Sequence, residues 1–255
     1  MVEKKSRPYQ LSEVIMIETI IIEQCPKCGS DDMVRNGRDY KGDQKYRCNA
    51  CQSYGTLHPQ KGYSYVEKEV IKRAYLERAS MRGIGRIFGI ARQTLARWIE
   101  EWAVQLPALE QTLAPFQEGD VLELDELGSF VQQKSQKCWI WIALCRRTRQ
   151  VVAYVIGDRS QATCRKLWHQ IPETYRTCLT FSNFWQAYEV VFPETTHQSV
   201  GKDTGETAHI ERWNNTLRQR VSRFVRKTLS FSKADRFHDW VLQLFIHHYN
   251  LSVNM

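Results

Sequence analysis

The sequence has no apolar run of about 18 residues, the length a membrane-spanning helix requires, so no segment is expected to cross a bilayer. The nearest approach, residues 14–22, is short and broken by Glu18. No small-residue cleavage site follows the basic stretch 1–11, which argues against a secretory leader. Internal repeats and low-complexity blocks are also missing, so neither a solenoid nor a tail is indicated. Acidic residues are the scarcer sign, 28 Asp and Glu against 36 Lys and Arg, for a formal net charge of +8. An excess of that size points to a polyanionic partner, nucleic acid first. The expected compartment is a reducing cytoplasm, where eight cysteines serve metal binding or burial rather than disulfides.

What is present is a globular composition, 42% hydrophobic and 25% charged, over 255 residues. That length accommodates one large domain or two to three small ones. Residues 1–60 hold four clustered cysteines and many turn formers. Residues 61–106 read as helices with Lys and Arg among Ile, Leu and Trp. Residues 107–119 contain Pro107, Pro115 and Gly119 and read as a linker, and 120–255 carry strand-like runs and then long helical ones. The fold class expected is α+β and multidomain. Residues 1–24 receive no firm role; an extra strand on the first module or a part in assembly are both open.

The four clustered cysteines form Cys25-Pro-Lys-Cys28 and Cys48-Asn-Ala-Cys51, separated by nineteen residues. Each short pair sits in a turn that aims two thiolates at one point, and two such pairs complete a closed tetrahedral zinc site. Four thiolates leave no open position for chemistry, so one structural zinc per chain is expected in a zinc ribbon. A module this small needs the metal to fold. Cys138, Cys145, Cys164 and Cys178 have no ligand spacing and read as core residues.

Residues 65–78 place Val66, Val70, Ile71 and Ala74 near helical spacing, and Gly89 is suited to the sharp turn of a helix-turn-helix. The following segment puts Leu95, Trp98, Ile99 and Trp102 on one face. Arg92, Gln93, Thr94 and Arg97 lie on the other, at the start of the expected recognition helix. Those side chains hydrogen-bond base edges and phosphates.

Val121-Leu-Glu-Leu-Asp-Glu-Leu alternates as a half-buried strand does. Two further strand-like runs (138–145 and 151–156), a helix at 160–170 and a short strand at 177–181 follow. A long helix is expected over 207–228, with Ile210, Trp213, Leu217, Val221 and Phe224 as its buried stripe. This order is that of an RNase H-like α/β domain with a mixed sheet. Arg212, Arg218, Arg220, Arg223, Arg226 and Lys227 are numerous enough on the last helix to suggest phosphate contact.

Three pieces carry a specific likeness: Leu124-Asp125-Glu126; Ser182-Asn183-Phe184-Trp185-Gln-Ala-Tyr188; and His209-Ile-Glu211-Arg-Trp-Asn-Asn-Thr-Leu-Arg218. Together with the cysteine pairs and the helix-turn-helix, the chain resembles bacterial transposases of the insertion-sequence-one family over roughly residues 25 to 250. The resemblance implies a DDE-type enzyme that binds terminal inverted repeats in double-stranded DNA, cleaves 3′ ends and transfers strands into target DNA. It implies Asp125, position 183 and Glu211 as catalytic ligands of two magnesium ions, with manganese able to substitute. Self-association as a dimer or higher oligomer, and work at the bacterial nucleoid, are also implied. One departure stands out: the family has Asp where this chain has Asn183. The change removes a charge and a bridging oxygen, so two-metal chemistry is expected to be impaired while DNA binding survives. A deliberate replacement and natural decay both account for it; the intact surrounding motif favours the first. The competing reading is a DNA-binding regulator derived from a decayed transposase, without catalysis.

Overall fold

The computed structural model describes residues 23–39, 42–57 and 62–253. The basic and apolar segments within residues 1–22 lie outside the described residues. The chain divides into two compact units, with the division after Ser64.

In the first unit, β1 (Met33–Arg38), β2 (Gln44–Cys48) and β3 (Tyr54–Thr56) form an antiparallel sheet in that order. The described residues here bury only Cys25 and Cys48. Apolar burial of that extent cannot offset the entropy of ordering the unit, which is the situation in which a metal supplies the core.

The second unit opens with three helices: α1 (Tyr65–Leu76), α2 (Met81–Phe88) and α3 (Arg92–Val104). Ser80 caps α2 by accepting from the Gly83 N–H at 3.0 Å, and Gly89 closes it in the left-handed conformation at φ 70°. A Cβ at Gly85 would stand 2.9 Å from the Ile90 carbonyl, so the tight α2–α3 corner requires glycine there. Leu95, Trp98 and Ile99 are buried, as the α3 pattern predicts. The phase of α1 differs from the expectation. Val66 and Val70 are 69% and 51% exposed, and Ile71, Tyr75 and Leu76 face inward. Apolar residues occupy two sides of α1, and tertiary contacts at Tyr75 decide which side is covered.

Residues 107–119 carry a 3-10 turn (Leu109–Thr112) fixed to the main sheet. Gln150 donates to the Thr112 carbonyl at 2.7 Å and Asn250 to its hydroxyl at 2.9 Å. Then come β4 (Val121–Phe130), β5 (Lys137–Cys145), β6 (Val151–Gly157), α4 (Gln161–Gln170), β7 (Leu179–Ser182), α5 (Gln186–Val191), β8 (His197–Ser199), α6 (Ala208–Arg220) and α7 (Asp235–Ser252). The sheet order is β6-β5-β4-β7-β8. The pairs β4–β5 and β5–β6 are antiparallel; β4–β7 and β7–β8 are parallel. This is the RNase H-like mixed sheet expected from the sequence.

Leu122, Leu124, Trp141 and Ala143 pack with Cys164, Leu167 and Tyr188 on the α4–α5 face. Strand alternation sends Glu123 and Asp125 to the opposite face, where α6 lies. Cys145, Cys164 and Cys178 are buried as core residues, and Cys138 is partly buried. Helix α6 is shorter than the helix expected over 207–228. It stops at Arg220 rather than running to 228, because the turn after α1 intercepts it. The Arg78 N–H donates to the Arg220 carbonyl, and the Arg78 guanidinium to that of Gln219 at 3.1 Å, satisfying carbonyls a continued helix would have used. Val221 and Phe224 remain buried, now in the turns that follow.

Candidate functional site

The sulfur atoms of Cys25, Cys28, Cys48 and Cys51 all lie within 4.8 Å of one another. Each pair sits in a matching turn: Gly29 donates to the Cys25 carbonyl at 2.8 Å, and Gln52 to that of Cys48 at 2.9 Å. Gly29 and Gln52 adopt φ 75° and 60°, the left-handed bend that turns both thiols inward. The Cys25 thiol is pulled down to about 6, chiefly by the Ser53 hydroxyl, while its neighbours push Cys28 up to about 12. Four sulfurs competing for protons at one point fit zinc, which binds thiolates and displaces those protons.

The second constellation lies in the RNase H-like domain. Asp125 is in the middle of β4, and Asn183 follows the last residue of β7. Their parallel pairing runs Val121↔Leu179 to Glu123↔Phe181, so the same register brings residue 183 beside residue 125. Glu211 occupies the first turn of α6. All three line one cavity of about 320 Å3, together with Lys202, Arg218 and Arg226.

What brings α6 to this strand is Glu123, which is completely buried. Its carboxylate accepts from the backbone N–H groups of His209 and Ile210 at 2.9 and 3.0 Å, capping α6 from a strand 86 residues earlier. The His209 ring contacts it at 2.6 Å and Arg146 donates to it at 2.8 Å. Arg146 continues to the Glu206 carboxylate at 2.7 Å and lies over the Phe181 ring. Glu123 stands two residues before Asp125 and grips α6 at His209, two before Glu211. The clamp therefore sets the strand–helix spacing at the acids.

Burial, followed by the charge of Glu126, raises the Asp125 carboxyl to about 7, and Glu211 adds to the effect. Asn214 on α6 donates to Asp125 at 2.7 Å. Glu126 is also buried, and accepts from Tyr188 at 3.0 Å and from Arg159. The Arg159 guanidinium lies over Trp139 at 4.6 Å and Trp185 at 4.0 Å.

The orientation of Asn183 decides what this cavity offers. Its side-chain oxygen accepts from the Trp185 N–H at 3.0 Å. That bond fixes the amide, because the reverse orientation would set two donors against each other. The nitrogen consequently faces Asp125 at 3.4 Å and Glu126 at 3.5 Å. Asp125 and Glu211 are hard oxygen donors that suit magnesium, whereas residue 183 as it stands turns N–H groups toward the carboxylates. It fills the role of a cation there rather than that of a ligand. Asp158 and Asp203 do not enter the cavity: Asp158 accepts from Ser160 and Thr163 at the start of α4, and Asp203 is exposed.

The basic residues divide into groups. Arg92, Gln93 and Arg97 are exposed at the start of α3 and Thr94 is half-buried; Arg97 has Glu101 at 3.4 Å. Arg212, Arg226 and Lys227 are exposed, and Arg218 is half-buried beside the acids. Arg220 is paired with Glu77 and lies over Phe245. Arg223 is only 9% exposed. Its guanidinium donates to the Tyr75 hydroxyl at 2.8 Å and contacts the Ser232 hydroxyl, so its bonds are internal. Sequence reasoning missed Glu123, Arg146, Arg159 and Asn214. For Glu123 a signal existed, since a carboxylate sharing the alternation of Asp125 must enter the same covered face.

Residues 121–251 match the family described as IS1 transposase, of DDE type, and residues 19–52 match the InsA N-terminal zinc-ribbon domain. The InsB protein of insertion element iso-IS1n from Shigella dysenteriae is 38% identical over 128 residues, 49% of this chain and 93% of that protein. The InsB protein of IS1 from Shigella flexneri is 36% identical over 129 residues, covering 50% and 95% of the two chains. That of IS1 4 from Escherichia coli K12 is 35% identical over 129 residues, covering 50% and 75%. With the acids of the matched region gathered in one cavity, this chain belongs to the IS1 transposase family.

Proposed function

We propose that the protein is a DNA transposase that binds the terminal inverted repeats of an insertion sequence in double-stranded DNA, with metal-dependent 3′-end cleavage and strand transfer as its reaction. As written, it is catalytically impaired. The observation that carries this reading is the Asn183 amide, whose nitrogen lies between Asp125 and Glu126 where a metal-bridging carboxylate would be needed. With Asp at this position, Asp125, residue 183 and Glu211 would hold two magnesium ions, which supply activation of water and then of the 3′-hydroxyl. The chain's own residues do the rest. Glu123 fixes α6, Asn214 orients Asp125, and Arg218 and Arg226 offset phosphate charge at the cavity mouth. The zinc ribbon holds one structural zinc. Arg92, Gln93, Thr94 and Arg97 read the repeat in the major groove, in a head spanning residues 61–106 joined to a catalytic domain of 120–255. Handling two element ends requires at least a dimer, acting at the bacterial nucleoid.

The test compares this chain with Asn183→Asp on labelled terminal-repeat DNA with magnesium. Cleavage and joining by the Asp form alone support the assignment; rapid strand transfer by the unmodified chain would refute the impairment. The second reading, a DNA-binding regulator without catalysis, draws on the same amide orientation. It gains if neither form reacts while both bind the repeat specifically.

A further inference from the structure

Beside the acidic cavity lies a second groove of about 330 Å3. Trp139, Arg218 and Arg226 line both, so the two are continuous. Lys134, Lys137, Arg218, Arg226 and Lys227 line the second groove, and none of its lining residues is acidic. Among the described residues, no ion pair involves any of these five cations. Arg218 and Arg226 also face the acids, but Lys134, Lys137 and Lys227 line only the second groove. Like charges gathered without ion pairs cost folding energy, and a bound polyanion removes that cost.

The groove wall carries a second, independent feature. Gly128 and Trp139 are cross-strand partners on β4 and β5. A Cβ at residue 128 would sit 3.4–3.7 Å from three atoms of the six-membered indole ring, so glycine lets the half-buried Trp139 lie close against β4, where it lines the groove with Arg159 over its ring. Lysines without ion pairs along a groove, joined to a partly exposed aromatic side chain, are the two components of sites that hold unpaired nucleic-acid strands. A duplex is too wide to enter a groove of this size and could touch only its rim.

We propose that this groove is a binding site for a single, unpaired DNA strand. Its phosphates lie on Lys134, Lys137 and Lys227 and one base packs on Trp139 where it lines the groove, leading the strand to or from the acids. The inference rests on the transposase reading for its biological ligand, but its chemistry is testable without catalysis.

The full chain is titrated with a fluorescent oligothymidylate and, separately, with a blunt duplex lacking the repeat. Lys134→Ala/Lys137→Ala and Gly128→Val are each expected to weaken oligothymidylate binding about tenfold. Gly128→Ala, a smaller wedge against the ring, is expected to act in the same direction. The equal charge loss Arg165→Ala/Lys166→Ala, exposed on α4, is expected to change binding by no more than about twofold. Indole quenching on binding should diminish in Trp139→Phe. Groove variants indistinguishable from the parent, or an equal loss in the α4 control, overturn the site. An equal loss for the blunt duplex overturns its single-strand character. Absence of any preference for the terminal repeat would instead sink the transposase reading, with the groove dependence still measurable.

Discussion

At position 183 the amide oxygen accepts from the Trp185 N–H and the nitrogen faces Asp125 and Glu126. An Asp there would point a further carboxylate at Asp125 and Glu126. In chelator, Asn183→Asp is therefore expected to lower stability by about 1 kcal/mol, or roughly 2–4 °C in Tm for a domain of this size. Magnesium should restore it, while the parent chain stays insensitive; equal responses of the two in a thermal scan would count against the metal site. Glu123 is the other residue of consequence. Removing its carboxylate strands Arg146 and two helix N–H groups in a covered place. Glu123→Ala is expected to cost about 3–5 kcal/mol by urea unfolding, and Glu123→Gln, which keeps an acceptor, clearly less. The sequence reading named Asp125, position 183 and Glu211 because they stand in a motif. It could not name Asn214, Arg146 or Arg159, because the elements that supply them are adjacent only after folding.

At the scale of elements, strand and helix order were legible from alternation and period. The end of α6 was not, since nothing local breaks it: the sequence there has neither proline nor glycine, and the stop is imposed by Arg78. The phase of α1 was hidden for a related reason: apolar residues lie on two sides of it, and the covered side, with Ile71, Tyr75 and Leu76, meets elements distant in sequence, as at the Tyr75–Arg223 bond. Tyr75→Phe is expected to cost about 1.5–3 kcal/mol in denaturant unfolding, a charged donor having lost its buried acceptor. The start of α7 carries a titration. Burial, and secondarily Arg223, hold the His238 imidazole down to about 4 from its ordinary 6.5. The unfolded chain therefore binds the proton more tightly than the folded one. The contribution is complete above pH 6.5 and is lost as pH falls toward 4, by up to about 3 kcal/mol. Tm profiles of the parent and His238→Gln over that window should converge at the acid end. Parallel profiles would show that His238 is not responsible.

At the scale of the molecule, the two units differ in what holds them. The second has a sheet with helices on both faces, and the first has two buried cysteines among its described residues. A strong chelator is thus expected to unfold the first while the aromatic circular dichroism of the second persists. Loss of both signals together would mean that the ribbon's metal supports the whole chain. The four-cysteine cluster was fully legible, because a C-x2-C pair carries its geometry within four residues. The basic residues were only partly so. Charge can be counted in a sequence, but pairing cannot, and Arg220 and Arg223 turned out to be engaged within the protein.

Helix α6 is held at its first turn by Glu123 of the catalytic strand, and at its last by Arg78 of the three-helix head. It is a strut of 13 residues, about 20 Å long, fastened at both ends to different parts of the chain. A displacement of α1–α3 against the sheet is therefore delivered along a stiff rod to Glu211, at the far end.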